Sequence, residues 1–273
     1  MNRIDAIFQG LRHLTPPRAR KGALMPFITA GDPDLATTAA LLPALQDAGA
    51  AVCELGFPFS DPIADGPVIQ ESMTRALARG VRTADIFAMV KAQRQRLSMG
   101  LVAMVSYSIV FRHGPRQFAQ RAAEAGFDGL ILPDLPVEES DEACRAAADA
   151  GLTCTFLIAP NTPMKRAEQI ARACTGFVYV LARAGVTGER AQLPADLPDR
   201  LARLRQVSDL PMAVGFGIAD AGQAAQVLAV ADAVIVGSAV VRRINHYRDQ
   251  GPQEIARHVA AFVAELAGAR TVT

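Results

Sequence analysis

Lysine is scarce in this chain of 273 residues, which holds only Lys21, Lys91 and Lys165. None stands at the end of a β-rich run, where an imine-forming lysine would be needed, so Schiff-base chemistry is disfavoured. Histidine is equally sparse: His13, His113, His246 and His258 are scattered, and none stands at the end of a β-rich run. That pattern argues against a resident metal. The four cysteines, Cys53, Cys144, Cys154 and Cys174, form no CxxC pair and no ligand spacing with those histidines, and read as reduced structural thiols. Charge of one sign is also missing, because 28 Lys and Arg offset 27 Asp and Glu to leave +1. Nothing in that balance recommends a nucleic-acid or membrane partner. No stretch approaches the ~18 uninterrupted apolar residues of a membrane span, and the first eight residues lack the apolar core of a signal peptide. The expectation is a cytoplasmic enzyme of a small-molecule substrate.

What the chain does have is a repeat of short β-rich runs and amphipathic segments from residue 23 onward. Strands are expected at 23–29, 51–55, 101–106, 129–132, 153–158, 177–181, 212–215 and 233–236. Between them lie helical patterns such as Arg121 to Gly126 and Glu142 to Ala150, each ending near a glycine that can close a helix. A final helix sets Ile255, Val259, Phe262, Val263 and Leu266 along one stripe, and an extra N-terminal helix carries Ile4, Ile7, Phe8, Leu11 and Leu14 on one face. No Pro/Ser-rich linker or charge block divides the chain, so residues 1–273 read as a single domain. Eight strand-helix units favour a closed (β/α)8 TIM barrel over an open sheet, since closure removes both edge strands.

In a barrel the chemistry gathers at the C-terminal strand ends. The stretch from Cys53 to Gln70 puts Glu54 inside a buried strand, with Asp61 and Asp65 in the loop beyond. A strand acid is either paired to an arginine or to backbone donors, or is tuned for proton transfer. Asp61-Pro and Asp65-Gly-Pro are also ordinary turn chemistry, and the three together suggest an acid/base set. Val52 and Glu54 share one strand face, as do Phe177, Tyr179 and Leu181, so Glu54 and Tyr179 can both point into the barrel mouth. Glycines follow three consecutive late strands: Gly185 and Gly188, Gly215 and Gly217, then Gly237 with Ser238. Loops there, with a short helix beginning at Ser238, suit a phosphate. Acid/base catalysis on a phosphorylated substrate is what remains.

The run from Glu54-Leu-Gly-Phe-Pro-Phe-Ser-Asp-Pro to Asp65-Gly-Pro resembles the signature of the tryptophan synthase alpha subunit family. Met25 to Pro33, Leu132 to Glu139, Arg183 to Gly188, Val214 to Ile218 and Val236 to Ala239 are similar to its other blocks, in the same order. The resemblance implies a (β/α)8 barrel that cleaves indole-3-glycerol phosphate to indole and glyceraldehyde 3-phosphate in tryptophan biosynthesis, without a cofactor of its own. It also implies an alpha2beta2 assembly with a beta subunit that carries pyridoxal phosphate. By motif, Glu54 would protonate C3 of the indole and Asp65 would serve the ring nitrogen, with Tyr179 orienting Glu54 and Asp61 supporting the loop. Phe27, Ile63 and Thr187 would line or close over the substrate, and Gly188, Gly217, Gly237 and Ser238 would bind phosphate.

The chain departs from the family pattern at Ser106, Ser108 and Ile109, where an aromatic, Asn and often Pro are usual, at Met73, usually small and polar, and at Ala219, frequently Ser. These changes bear on substrate contacts and on the partner surface. They leave two further readings: a stand-alone lyase that releases free indole, and a catalytically weakened binding or regulatory homologue.

Overall fold

A computed structural model describes residues 1–12, 22–62, 65–183, 194–215 and 217–268. The strands within it are β1 (Ala23–Thr29), β2 (Val52–Gly56), β3 (Gly100–Met104), β4 (Gly129–Ile131), β5 (Thr153–Thr155), β6 (Leu157–Ile158), β7 (Val178–Leu181), β8 (Met212–Gly215) and β9 (Ala233–Val236). All pair in parallel, in the order β5-β4-β3-β2-β1-β9-β8-β7-β6. Because β5 and β6 are successive pieces of one run, the two ends of this order meet and the sheet closes into the expected barrel.

Several strand ends differ from the sequence reading by one residue, and two runs differ by more, each for a local reason. The run 153–158 is interrupted at Phe156, whose N–H donates to the Cys174 thiol at 3.3 Å instead of to a neighbouring strand. β5 therefore pairs with β4, and β6 with β7. The third strand stops at Met104 rather than Ser106, because Ser106 turns to cap the Tyr107–His113 helix, accepting a hydrogen bond from Ser108 N–H.

Alternation along each strand sorts the apolar residues into two layers. Cys53, Leu55, Leu101 and Ala103 point outward into the large core between the barrel and its helices. Val52, Val102, Ile131, Phe177 and Tyr179 point inward and fill the barrel. The helix Arg3–Arg12 closes its N-terminal end: Ile4 and Phe8 belong to the interior cluster, with Ile7 and Leu11 packed against it. The approach is close, since a Cβ on Gly100 would stand 2.5 Å from Ile4 Cδ1. Leu14, expected on the same face, lies outside the described residues. At the other end of the chain, the predicted stripe of Ile255, Val259, Phe262, Val263 and Leu266 is buried along the helix Pro252–Gly268.

With the lower end plugged, the C-terminal end is where the barrel can take a ligand. A smaller apolar cluster sits there: Phe27, Ile69, Met73 and Val241, with Phe59, Val68 and Met104 against it.

Candidate active site

Glu54 is the third residue of β2, inward by the same alternation that sends Cys53 and Leu55 outward. Its exposure is 0%, and neither carboxyl oxygen has a hydrogen-bond partner among the described residues. The structural alternative, an arginine or backbone donors holding the acid, is therefore not what this strand contains. Burial alone pushes the Glu54 carboxyl well above the usual glutamate range. The shift favours the protonated form, the form able to donate a proton.

Tyr179 enters from β7, on the opposite part of the wall, and is buried. Burial raises its phenol well above the usual value, and the charges of Glu54 and then Asp65 raise it further. The hydroxyl packs over β8: a Cβ on Gly215 would lie 2.6 Å from it, so only glycine fits there. Because Glu54 accepts no hydrogen bond from any described residue, the orienting contact expected of Tyr179 is not a hydrogen bond in this structure.

Asp65 closes the loop that leaves β2. Its N–H donates to Pro62 O at 3.0 Å, and Gly66 then caps the helix Pro67–Ala78, with proline at its first position. Burial raises the Asp65 carboxyl to about 6. Asp61 is exposed and accepts a hydrogen bond from its neighbour Ser60 at 3.1 Å.

Phe27 stands beside Glu54 in the β1–β2 register and is 5% exposed in the mouth cluster. It also touches the anion side of the mouth, since a Cβ on Gly237 would sit 3.7 Å from Phe27 Cβ. Gly237 caps the helix Ser238–His246, whose first N–H groups have no acceptor within the helix. Gly217 follows the neighbouring strand β8 in a left-handed conformation, with φ of 90°. The N–H groups at the start of the Ser238–His246 helix and the helix dipole make the upper ends of β8 and β9 suitable for a phosphate. Ile63, Thr187 and Gly188, the other expected contacts, lie outside the described residues.

Three of the unusual positions acquire a local account. Ser106 Oγ donates to Asp134 Oδ2 at 2.6 Å while Tyr107 N–H donates to Asp134 Oδ1 at 2.8 Å, tying the loop after β3 to the loop after β4. Met73, 6% exposed, packs in the cluster that holds Phe27. Ala219 has no side-chain hydroxyl, and its N–H donates to Gln223 Oε1 at 2.7 Å. Nothing in the structure explains Ser108 and Ile109.

The structure also reveals residues that spacing did not flag. Gln70 donates from Nε2 to Asp65 O at 2.8 Å and to Pro62 O at 3.2 Å. Arg75 grips Asp32 with two hydrogen bonds, at 2.8 and 2.9 Å, and Ser72 meets Thr29 at 2.6 Å. The one sequence signal for this set was the helix start at Gly66-Pro67, which fixes which side chains face back toward the loop. Among the described residues no three His, Cys, Asp or Glu side chains converge to hold a metal ion, and no helix is long and apolar enough to cross a membrane.

A sequence profile described as Tryptophan synthase alpha chain matches residues 16–270. Proteins bearing that description are similar over nearly the whole length. The one from Rippkaea orientalis is 43% identical over 267 residues, 97% of each chain. That from Geobacter sulfurreducens is 45% identical over 266 residues, 97% of this chain and 98% of its own. Among solved structures, a chain of Mycobacterium tuberculosis tryptophan synthase superposes with a TM-score of 0.88 at 34% identity, covering 100% of this chain and 99% of that one. The Legionella pneumophila tryptophan synthase alpha chain gives 0.86 at 36%, covering 98% and 97%.

Proposed function

The chain belongs to the tryptophan synthase alpha chain family, and from that premise we propose how its residues carry out the family reaction, cleavage of indole-3-glycerol phosphate to indole and glyceraldehyde 3-phosphate. The observation that carries the reading is Glu54: a fully buried acid with no hydrogen-bond partner among the described residues, facing the barrel interior.

The bond to be broken joins indole C3 to the first carbon of the glycerol chain. It cannot break heterolytically toward the ring while C3 is part of the aromatic system. Protonated Glu54 delivers its proton to C3, and Asp65, ionised near neutral pH with a pKa of about 6, takes the proton from N1. The product is an indolenine, which accepts electrons. Glu54, now a carboxylate, removes the proton from the hydroxyl on the carbon attached to the ring. The oxygen's electron pair forms the aldehyde, the C–C pair returns to the ring, and N1 recovers its proton from Asp65. Glu54 ends the cycle protonated, as it began, so one raised pKa serves both the acid and the base step.

Phe27 offers an apolar wall for the indole, with Ile63 and Thr187 completing the substrate enclosure. Gly188, Gly217, Gly237 and Ser238 hold the phosphate through backbone N–H groups, the helix dipole adding to the attraction. The steps need no cofactor on this chain. In this reading residues 1–273 form one barrel domain, acting in the cytoplasm in an alpha2beta2 assembly whose beta subunits carry pyridoxal phosphate and consume the indole.

An indole-release assay with indole-3-glycerol phosphate, run with and without purified beta subunit, tests the proposal. Slow release alone and strong stimulation by beta is the expected result. Rapid release without beta would mark a stand-alone lyase, and no release in either case would overturn the assignment.

A further inference from the structure

Asp65 carries half of the proposed acid/base work, yet among the described residues the hydrogen bonds that fix it are to its backbone. Its N–H and its C=O are both engaged: the N–H closes a turn onto Pro62 O at 3.0 Å, and the C=O accepts from Gln70 Nε2 at 2.8 Å. The same Gln70 nitrogen also donates to Pro62 O at 3.2 Å. One side-chain amide thus spans both ends of the turn from Pro62 to Asp65. Gln70 reaches it from the first turns of the helix Pro67–Ala78, where its own N–H is held by Gly66 O at 3.0 Å.

That helix is a firm base. Ser72, fully buried, meets Thr29 Oγ1 at 2.6 Å and donates to Ile69 O at 2.7 Å. One turn further on, Arg75 clasps the buried carboxylate of Asp32 at 2.8 and 2.9 Å. Thr29 ends β1 and Asp32 lies just beyond it, so the helix is fastened to the strand that carries Phe27. The chain of contacts runs from β1 through Ser72 and Arg75 to the helix, and from the helix through Gln70 to Asp65.

We infer that Gln70 is a positioning residue for the lyase reaction: its amide sets the turn from Pro62 to Asp65 so that the Asp65 carboxylate meets the ring nitrogen. The inference rests on the reading of Asp65 given above. The requirement is for a donor with two N–H bonds, both used on carbonyl oxygens. Met has the length without the donor, and ionised Glu would set a negative oxygen against two carbonyls.

The test compares Gln70→Met and Gln70→Glu with the native chain, each alone and combined with Asp65→Asn, in the beta-stimulated indole-release assay. Either single Gln70 variant should lower kcat by about ten- to a hundredfold, the range expected when a reacting group is displaced by a fraction of an ångström to one ångström. KM and the affinity for glycerol 3-phosphate should stay within about twofold, because phosphate is bound elsewhere; that split separates positioning from general loosening. In the Asp65→Asn background the same Gln70 changes should cost less than about twofold, since there is no carboxylate left to position. Unchanged kcat in both Gln70 variants, or a full tenfold loss persisting in Asp65→Asn, would overturn the inference. Normal turnover of Asp65→Asn alone would instead remove the role of Asp65, and the inference with it. Gln70→Glu keeps the side-chain size, so it decides the matter if Gln70→Met folds poorly.

Discussion

The two ends of this barrel each bury a carboxylate, and they treat it in opposite ways. At the N-terminal end Asp128, 7% exposed, receives an ion pair from Arg3, a second from Arg94 at 3.4 Å and the Leu101 N–H at 2.8 Å. Burial still pushes its pKa up, but the Leu101 hydrogen bond and the two arginines pull against that. At the C-terminal end Glu54 is more deeply buried and has neither cation nor donor among the described residues, so burial raises its pKa. Charge burial is tolerated where partners return the lost hydration. Asp128 therefore ties the plugging helix to β3 and β4, whereas Glu54 weakens the fold it sits in. Such an acid is no structural tie, which agrees with the catalytic role proposed for it.

Exchanging the groups at each end should separate these roles, most sharply at Glu54. Glu54→Gln keeps the shape and removes the transferable proton; indole release should fall by about a hundred- to ten-thousandfold, the usual worth of a positioned acid/base group. Glycerol 3-phosphate affinity, read by calorimetry, should be little changed. Turnover near the native rate would erase the distinction between the two ends.

At the other end, Asp128→Ala removes the carboxylate that pairs with Arg3 and Arg94 and accepts from the Leu101 N–H. Loss of one member of a buried pair costs about 3 kcal/mol, measurable as a lower urea midpoint. Turnover per folded molecule should not change. An Asp128 variant of native stability would mean that the foot of the barrel is no better tied than the mouth.

How much of this contrast could be read in the sequence depends on what each feature needs. The inward direction of Glu54 and Tyr179 follows from two-residue alternation, and the closed barrel follows from the repeat of strand and helix, so both were legible. The break at Phe156 was not, because it depends on a thiol eighteen residues away accepting one N–H. Asp128 gave no sign of its partners, which come from the plugging helix and from the segment before β3. Gln70 was invisible for the same reason: a helix position tells which way a side chain leans, and only the path of the loop brings two carbonyls within its reach. The glycine sites after β8 and β9 were visible as composition, but their N–H directions are set by the backbone turns.

A smaller effect sharpens the comparison through stability alone. Glu54→Leu replaces an unpartnered acid by a side chain suited to the barrel interior, and should stabilise the protein at pH 8 by about 1–3 kcal/mol, or roughly 2–4 °C in Tm for each kcal/mol in a chain of this size. The sign with pH is fixed. Glu54 has a folded pKa raised above its ordinary value of 4.5, so the folded state holds the proton more tightly. Its contribution is fully present below about pH 4.5 and is lost as pH rises toward the folded value. The advantage of Glu54→Leu should therefore grow from acid to alkaline pH. A gain that shrank with rising pH would show that Glu54 has an ionic partner after all.

The mouth also contains a carboxylate that is paired, and it provides the finest test of whether position or pairing decides the role of an acid. Asp134 accepts the Ser106 hydroxyl and the Tyr107 N–H through its two oxygens, in the manner of Asp128 rather than of Glu54. Ser106 in turn accepts from Ser108 N–H at 3.3 Å as the cap of the Tyr107–His113 helix. Ser106→Ala removes the cap and one of the two donors to Asp134, and should lower stability by about 1 kcal/mol, the common cost of losing such a cap. Tyr107 N–H still holds the other oxygen, which keeps the loss small. If pairing is what makes an acid structural, a thermal melt of Ser106→Ala shows a drop of that size with the same sign at pH 6 and pH 8. If location at the mouth were decisive, the substitution would leave the melt unmoved and Asp134 would stand with Glu54.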